Sequence, residues 1–290
     1  MAYRIFEIVA PICFVVLAGF FYSRFKKPNM EAANTINLDV FVPILILSVF
    51  ASAPVDISAY GGLILMGTVI TLLPGLFVLL FYRFLNVEWK TFALPMMFKN
   101  SGNLGIPLLV LTFGEEYLPA ILILFILENI LHFSVGIWLL SPKKRSLSFL
   151  KQPIIIASLI GISLSVLKIS LPPWLVTGLS MLGDVAVPLM LFALGVRLVN
   201  LDFHGWRIGL AGAIAAPVLG LTSAALFIHW VELPETLEKM VWLFAALPPA
   251  ILNFLLADKY QQQPDKVAAI VLFANVGSLA VIPLVLFFIL

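Results

Sequence analysis

A chain of 290 residues that is 62% apolar and 11% charged, with a mean hydropathy of +1.12, excludes an ordinary soluble domain, in which about a quarter of the residues are charged. The net charge of +2 comes without a basic cluster, so nothing points to nucleic acid. The single cysteine, Cys13, excludes an intramolecular disulfide.

Ten apolar segments follow one another at 5–23, 33–52, 60–82, 91–114, 117–140, 152–169, 174–197, 207–230, 236–257 and 266–289. Most have the about 18 to 25 residues that a helix needs to cross a hydrocarbon core of about 30 Å. The alternating ten-residue strands of a membrane barrel are absent. The first segment ends in Arg24, Lys26 and Lys27 without a small-residue cleavage site, so it reads as a retained helix.

The chain is written twice. Asp39-Val40-Phe41-Val42-Pro43 in the second segment recurs as Asp184-Val185-Ala186-Val187-Pro188 in the seventh, 145 positions later. Ala93-Leu94-Pro95 with Asn100 recurs as Ala246-Leu247-Pro248 with Asn253, at an offset of 153. Five spans per half place the second copy upside down in the membrane. The expected fold is therefore an all-α membrane protein of ten helices in a 5+5 inverted repeat, with halves at 1–143 and 144–290. Secondary transporters are built this way, with their sites near the midplane on discontinuous helices.

The chemistry concentrates in spans four and nine. Span four brings Asn100, Gly102, Asn103, Gly105 and Pro107 into its middle, and span nine brings Pro248, Pro249 and Asn253. Proline removes a backbone donor and glycine weakens a helix. Broken backbone at membrane depth is tolerated only where protein or a cavity satisfies it. Two broken helices would aim partial positive charge and free N–H groups at the midplane, which suits an anion. The asparagines add donors and acceptors, although polar side chains also join helices structurally.

Ionisable groups at membrane depth are functional candidates because they are costly there. Lys99 lies about 13 Å deep at about 1.5 Å per residue; it could set charge selectivity, snorkel to the surface, or pair with Glu128. Glu128 and His132 stand one turn apart in span five, on one helix face. They are the candidates for proton or ion coupling, with Asp39 and Asp184 as competitors or as helix contacts. His204 and His229 lie near span ends and read as interfacial.

Cations set the orientation. With the N-terminus outside, Arg24, Lys26, Lys27, Arg83, Lys90, Lys143, Lys144, Arg145, Lys151, Arg197, Arg207, Lys259 and Lys266 fall on the inner side, leaving Arg4, Lys168 and Lys239 outside. Both termini are thus expected on the non-cytoplasmic face of the plasma (inner) membrane.

The runs KNSGNLGIPLLVLTFGEE and ALPPAILNFLLADKYQQQPDKVAAIVLFANVGSLAVIPLVLFFIL resemble the auxin efflux carrier family, which includes bacterial carboxylate permeases and plant PIN-type carriers. FVPILILSVFAS and LGDVAVPLMLFALGVRL resemble that family's second and seventh spans, so the resemblance covers essentially the whole chain. It implies a scaffold of helices 1, 2, 6 and 7 and a mobile transport domain of helices 3–5 and 8–10. Broken helices 4 and 9 would cross there in the manner of sodium/proton antiporters. Carried over residue by residue, the crossing falls on Asn103 to Pro107 and on Pro248 to Asn253, with Asn253 standing where PIN carriers have proline. The long loop that many plant members carry after span five is here only about eleven residues.

The expected function is secondary transport of a small organic anion, a carboxylate or auxin-like molecule, by elevator-type alternating access, with a homodimer formed through the scaffold. The alternatives are a sodium- or proton-coupled symporter or exchanger of the bile-acid symporter type, and a membrane receptor that has kept the fold without flux. No cofactor is expected and no enzyme is read: metalloprotease, Ser–His and P-loop patterns are missing.

Overall fold

The computed structural model describes residues 1–52, 55–141, 150–200 and 205–290. Lys143, Lys144, Arg145 and His204, like the boundary at 143 and 144 between the expected halves, lie outside the described residues. The described chain forms α1 (Ala2–Lys26), α2 (Glu31–Ser52), α3 (Ile57–Val78), α4 (Trp89–Met97), α5 (Ser101–Phe113), α6 (Glu115–Leu140), α7 (Pro153–Val166), α8 (Pro173–Arg197), α9 (Trp206–Trp230), α10 (Glu235–Ala245), α11 (Leu252–Lys259) and α12 (Pro264–Ile289). No strand forms among the described residues; an isolated antiparallel bridge joins Lys99 to Pro249.

Local chemistry sets many of these boundaries. Proline opens α7, α8 and α12 at Pro153, Pro173 and Pro264, where its missing N–H is no loss and its φ already suits a helix. Lys27 closes α1 in the left-handed conformation, and Gly114, at φ 105°, turns the chain between α5 and α6.

Seven helices, α1, α2, α3, α6, α8, α9 and α12, are long and apolar enough to cross a membrane. The other three of the ten expected spans are not single helices of that length. Spans four and nine are each two short helices, α4 with α5 and α10 with α11. Helix α7 has 14 residues, about 21 Å at about 1.5 Å per residue, less than a bilayer core. Proline-rich and glycine-rich stretches divide two of these spans, and the third stops early, at Val166.

Packing sorts the helices into two groups. Helix α1 lies along the second half of α8, and the second half of α2 packs on α7 and on the first half of α8. Separately, α9 packs on α12 and α3, α3 on α4 and α6, and α11 on α12. The groups meet where α8 touches the start of α5, where α1 touches the end of α5 and α12, and where α2 touches α6. Phe50, Phe92, Phe98 and Phe244 fill the interior, while Phe14, Phe25, Leu80 and Trp174 face outward, as lipid solvation allows.

The α1–α8 contact depends on two glycines. A Cβ on Gly195 would collide with the Val16 carbonyl, and one on Gly19 with the Phe192 carbonyl, whereas a Cβ on Gly178 would meet nothing within 4 Å. Small residues let membrane helices approach backbone to backbone. Gly195→Ala should therefore destabilise the protein by about 1–3 kcal/mol through overpacking. Gly178→Ala should be neutral or stabilising, because alanine is the better helix former. Thermal unfolding of both variants in detergent checks this; equal melting temperatures would refute the close approach.

Candidate functional site

The two broken spans meet in extended backbone. Residues 98–100 connect α4 to α5, and residues 246–251 connect α10 to α11. The two segments run antiparallel: Asn100 N–H donates to Pro248 O at 2.6 Å, and Ala250 N–H donates to Phe98 O at 2.9 Å. Each therefore satisfies groups that the other's unwinding has freed, which is what burial in a membrane requires. Asn253, from the first turn of α11, fastens the junction. Its Nδ2 donates to Phe98 O at 2.9 Å and Ala250 O at 3.0 Å. A second clip runs from Asn100 Nδ2 to Asn275 Oδ1 at 2.9 Å, while Asn275 Nδ2 donates to Pro249 O at 2.9 Å.

A cavity of about 230 Å³ with several polar residues in its wall lies beside this crossing. Lys99 to Asn103 line one wall and Ala250 to Leu252 another; Glu128, Asn129 and His132 come from α6, Asn34, Asn37 and Asp39 from α2, and Arg197 from α8. Helices α5 and α11 both start here. The N–H groups of Gly102, Asn103, Ile251 and Leu252 make no backbone hydrogen bond among the described residues, as first-turn groups lack an acceptor within their helix. Two helix N-termini thus bring positive dipole ends to one space. Three helices around it widen to π-type turns, at Asn37–Phe41, Ser101–Gly105 and His132–Gly136, a distortion frequent at functional sites.

The buried ionisable groups are arranged differently from the expected pair. Lys99 is 1% exposed, and its Nζ donates to Ala216 O of α9 at 3.3 Å. No ion pair joins Nζ to Glu128, and the snorkelling reading fails as well. It is the backbone N–H of Lys99 that donates to Glu128 Oε1. The reason is geometric: the extended segment turns the Lys99 backbone toward α6 and sends its side chain toward α9. Glu128, 2% exposed, keeps its other oxygen without a hydrogen-bond partner. His132 stacks on Phe98 with ring centres 4.0 Å apart.

The other expected residues divide in the same way. Gly102 and Asn103 line the cavity on α5, so the crossing carried over onto Asn103 to Pro107 is corrected to 98–100; Pro107 is buried within α5, and a Cβ on Gly105 would meet Leu247 at 2.9 Å. Pro248, Pro249 and Asn253 build the crossing without lining the cavity, and the break in span nine falls at the prolines ahead of Asn253. Asp39 lines the cavity, whereas Asp184 sits exposed at a bend in α8 and does not. Sequence reading missed Asn275 and the part of Arg197 in the cavity wall. A lone asparagine in span ten was the available signal for the first.

Apolar helices long enough to cross a bilayer, two of whose neighbouring spans open around a cavity, define an integral membrane protein. Residues 143–286 match the family described as "Membrane transport protein". A curated protein of Rhizobium meliloti (strain 1021), named "Putative malonate transporter", is 23% identical over 304 aligned residues, taking in 95% of this chain and 92% of that one. The match to the membrane transport protein family, that of the auxin efflux carriers, thus lies in the second half of the chain, and both comparisons point to a transporter and not to an enzyme.

Proposed function

We propose that the protein is a secondary transporter of a small carboxylate, bound in the cavity at the crossing and carried by an elevator-type movement. The observation that carries this is the convergence of two helix N-termini, whose Gly102, Asn103, Ile251 and Leu252 N–H groups make no backbone hydrogen bond among the described residues, on one cavity. Such an array favours negative charge and costs no reorganisation when the anion arrives. The malonate named for the relative is a ligand of the right size for about 230 Å³.

The packing groups support the moving parts of this reading. Helices α1, α2, α7 and α8 would be the static scaffold and dimer surface, and α3 to α6 with α9 to α12 the transport domain, in a ten-span 5+5 inverted repeat. Both termini would lie on the non-cytoplasmic side. A second reading, proton coupling, draws on Glu128: its carboxyl stands in the cavity wall, holding the Lys99 N–H and facing the Ser101 side chain, a suitable place to load a proton. Asp39, on the same cavity, is the competing carboxylate. Sodium coupling and a flux-free receptor are separated from these by the same assay.

That assay is uptake of labelled malonate into proteoliposomes, with and without a pH or sodium gradient. Saturable uptake supports a carrier, and its absence with intact ligand binding would favour a receptor. Asn103, whose side chain makes no hydrogen bond among the described residues, is a side-chain donor available to a ligand beside the N-terminus of α5. Asn103→Ala is expected to weaken carboxylate binding by about 1–3 kcal/mol at an unchanged melting temperature. Unaltered affinity would remove Asn103 from the site.

A further inference from the structure

Arg197 closes helix α8 at the junction of two cavities. It lines the crossing cavity of about 230 Å³ and also a wider cleft of about 780 Å³ bounded by Leu194, Ile251, Phe254, Leu255 and Leu272. Ile251 and Leu255 also line both spaces, so Arg197 lies where the two adjoin.

The other cations nearby are engaged. Lys99 Nζ is held by Ala216 O at 3.3 Å and Lys266 Nζ by Asn86 O at 3.1 Å. Arg197 is half-buried and has neither a hydrogen bond nor a carboxylate partner among the described residues. A guanidinium offers five donors in a fork that fits a carboxylate, and a partly buried one without partners is costly to keep. The carboxylates around these spaces are Asp39 and Glu128 in the crossing cavity and Asp265 in the cleft. The cation also sits on α8, in the packing group opposite to that of Asn103 and the two helix N-termini. Two anion-attracting elements therefore face one small space from different sides.

Building on the carboxylate reading above, we propose that Arg197 recognises a second carboxylate on the substrate, making the protein selective for short dicarboxylates over monocarboxylates. One carboxylate lies at the N-termini of α5 and α11, and the other meets the guanidinium where the two cavities adjoin. The substrate thereby spans the two packing groups, and only a molecule with two charges a few bonds apart satisfies both ends.

The test uses malonate and its monomethyl ester, which have nearly the same size but differ by one charge. The full-length protein and its Arg197→Gln and Arg197→Lys variants are compared for uptake into proteoliposomes and for ligand-induced stabilisation in detergent. Arg197→Gln should weaken malonate binding about 10- to 100-fold and change that of the monoester less than about twofold. Arg197→Lys, which keeps charge without the fork, should fall between. Equal loss for both compounds, or loss for neither, with unliganded stability unchanged, overturns the role of Arg197 and leaves the carboxylate reading standing. A parent protein that neither binds nor moves either compound overturns that reading and this proposal together.

Discussion

Replacing Asn253 by alanine should lower the melting temperature and reduce carboxylate uptake more than tenfold, although Asn253 does not line the cavity. The side chain is 3% exposed, and its Nδ2 reaches two carbonyls in the two unwound segments, Phe98 O and Ala250 O. Each carbonyl keeps one backbone donor, from the Ala250 and Asn253 N–H groups, so the variant loses the second bond to each, about 0.5–1.5 kcal/mol per bond, and lipid offers no water to replace it. The loss falls on the junction that aims the N-termini of α5 and α11, so positioning suffers along with stability. Asn253→Asp should be worse than alanine, since it sets a carboxylate against the same two oxygens. Thermal unfolding in detergent and uptake in proteoliposomes measure both effects. A parental melting temperature and uptake in Asn253→Ala would show that the two backbone bonds between Asn100 and Pro248 and between Ala250 and Phe98 suffice.

Why spans four and nine are special was legible in the sequence, because proline, glycine and asparagine accumulate where a lipid-facing helix would exclude them. Where they unwind was not. The echo pairs Pro95 with Pro248, yet Pro95 ends up in the last turn of α4 while Pro248 lies in extended chain. What decides the place is the antiparallel pairing of 98–100 with 248–250, and no local propensity encodes that contact. The same limit applies to Lys99. Its depth could be estimated from span boundaries, but its choice of Ala216 O over Glu128 depends on how α9 packs. Asn275 was passed over because one asparagine in an apolar helix reads equally well as a helix contact. Arg197 served only the orientation count, where a cation at a span end is the ordinary expectation. Its place in a cavity wall emerges only when α8 is set beside α11 and α12. By contrast, the repeated Asp39 and Asp184 did mark irregular backbone in both copies, a π-type turn in α2 and a bend in α8.

The second large effect concerns Lys99 and Glu128, an amine and a carboxyl at 1% and 2% exposure that do not touch through their side chains. Each is tied to the backbone instead, Lys99 Nζ to Ala216 O and Glu128 Oε1 to the N–H of Lys99. Buried charges in low dielectric interact beyond hydrogen-bond range, so each should depend on the other for neutrality. Lys99→Met is expected to destabilise the protein by about 1–3 kcal/mol, since it leaves an uncompensated buried carboxylate. Glu128→Gln removes the matching charge while keeping an oxygen for the Lys99 N–H. The double variant should recover part of the single losses, with a coupling of about 0.5–3 kcal/mol read from unfolding of all four proteins. Function adds a second readout. If the two residues travel together as a neutral pair, Lys99→Met alone gives the moving body an extra negative charge. One charge moved through 100 mV is worth about 2.3 kcal/mol, so uptake by that variant should respond to membrane potential differently from the parent, and the double variant should restore the parental response. Additive stabilities together with an unchanged voltage response would mean that the lysine serves Ala216 and the glutamate serves the crossing, each on its own.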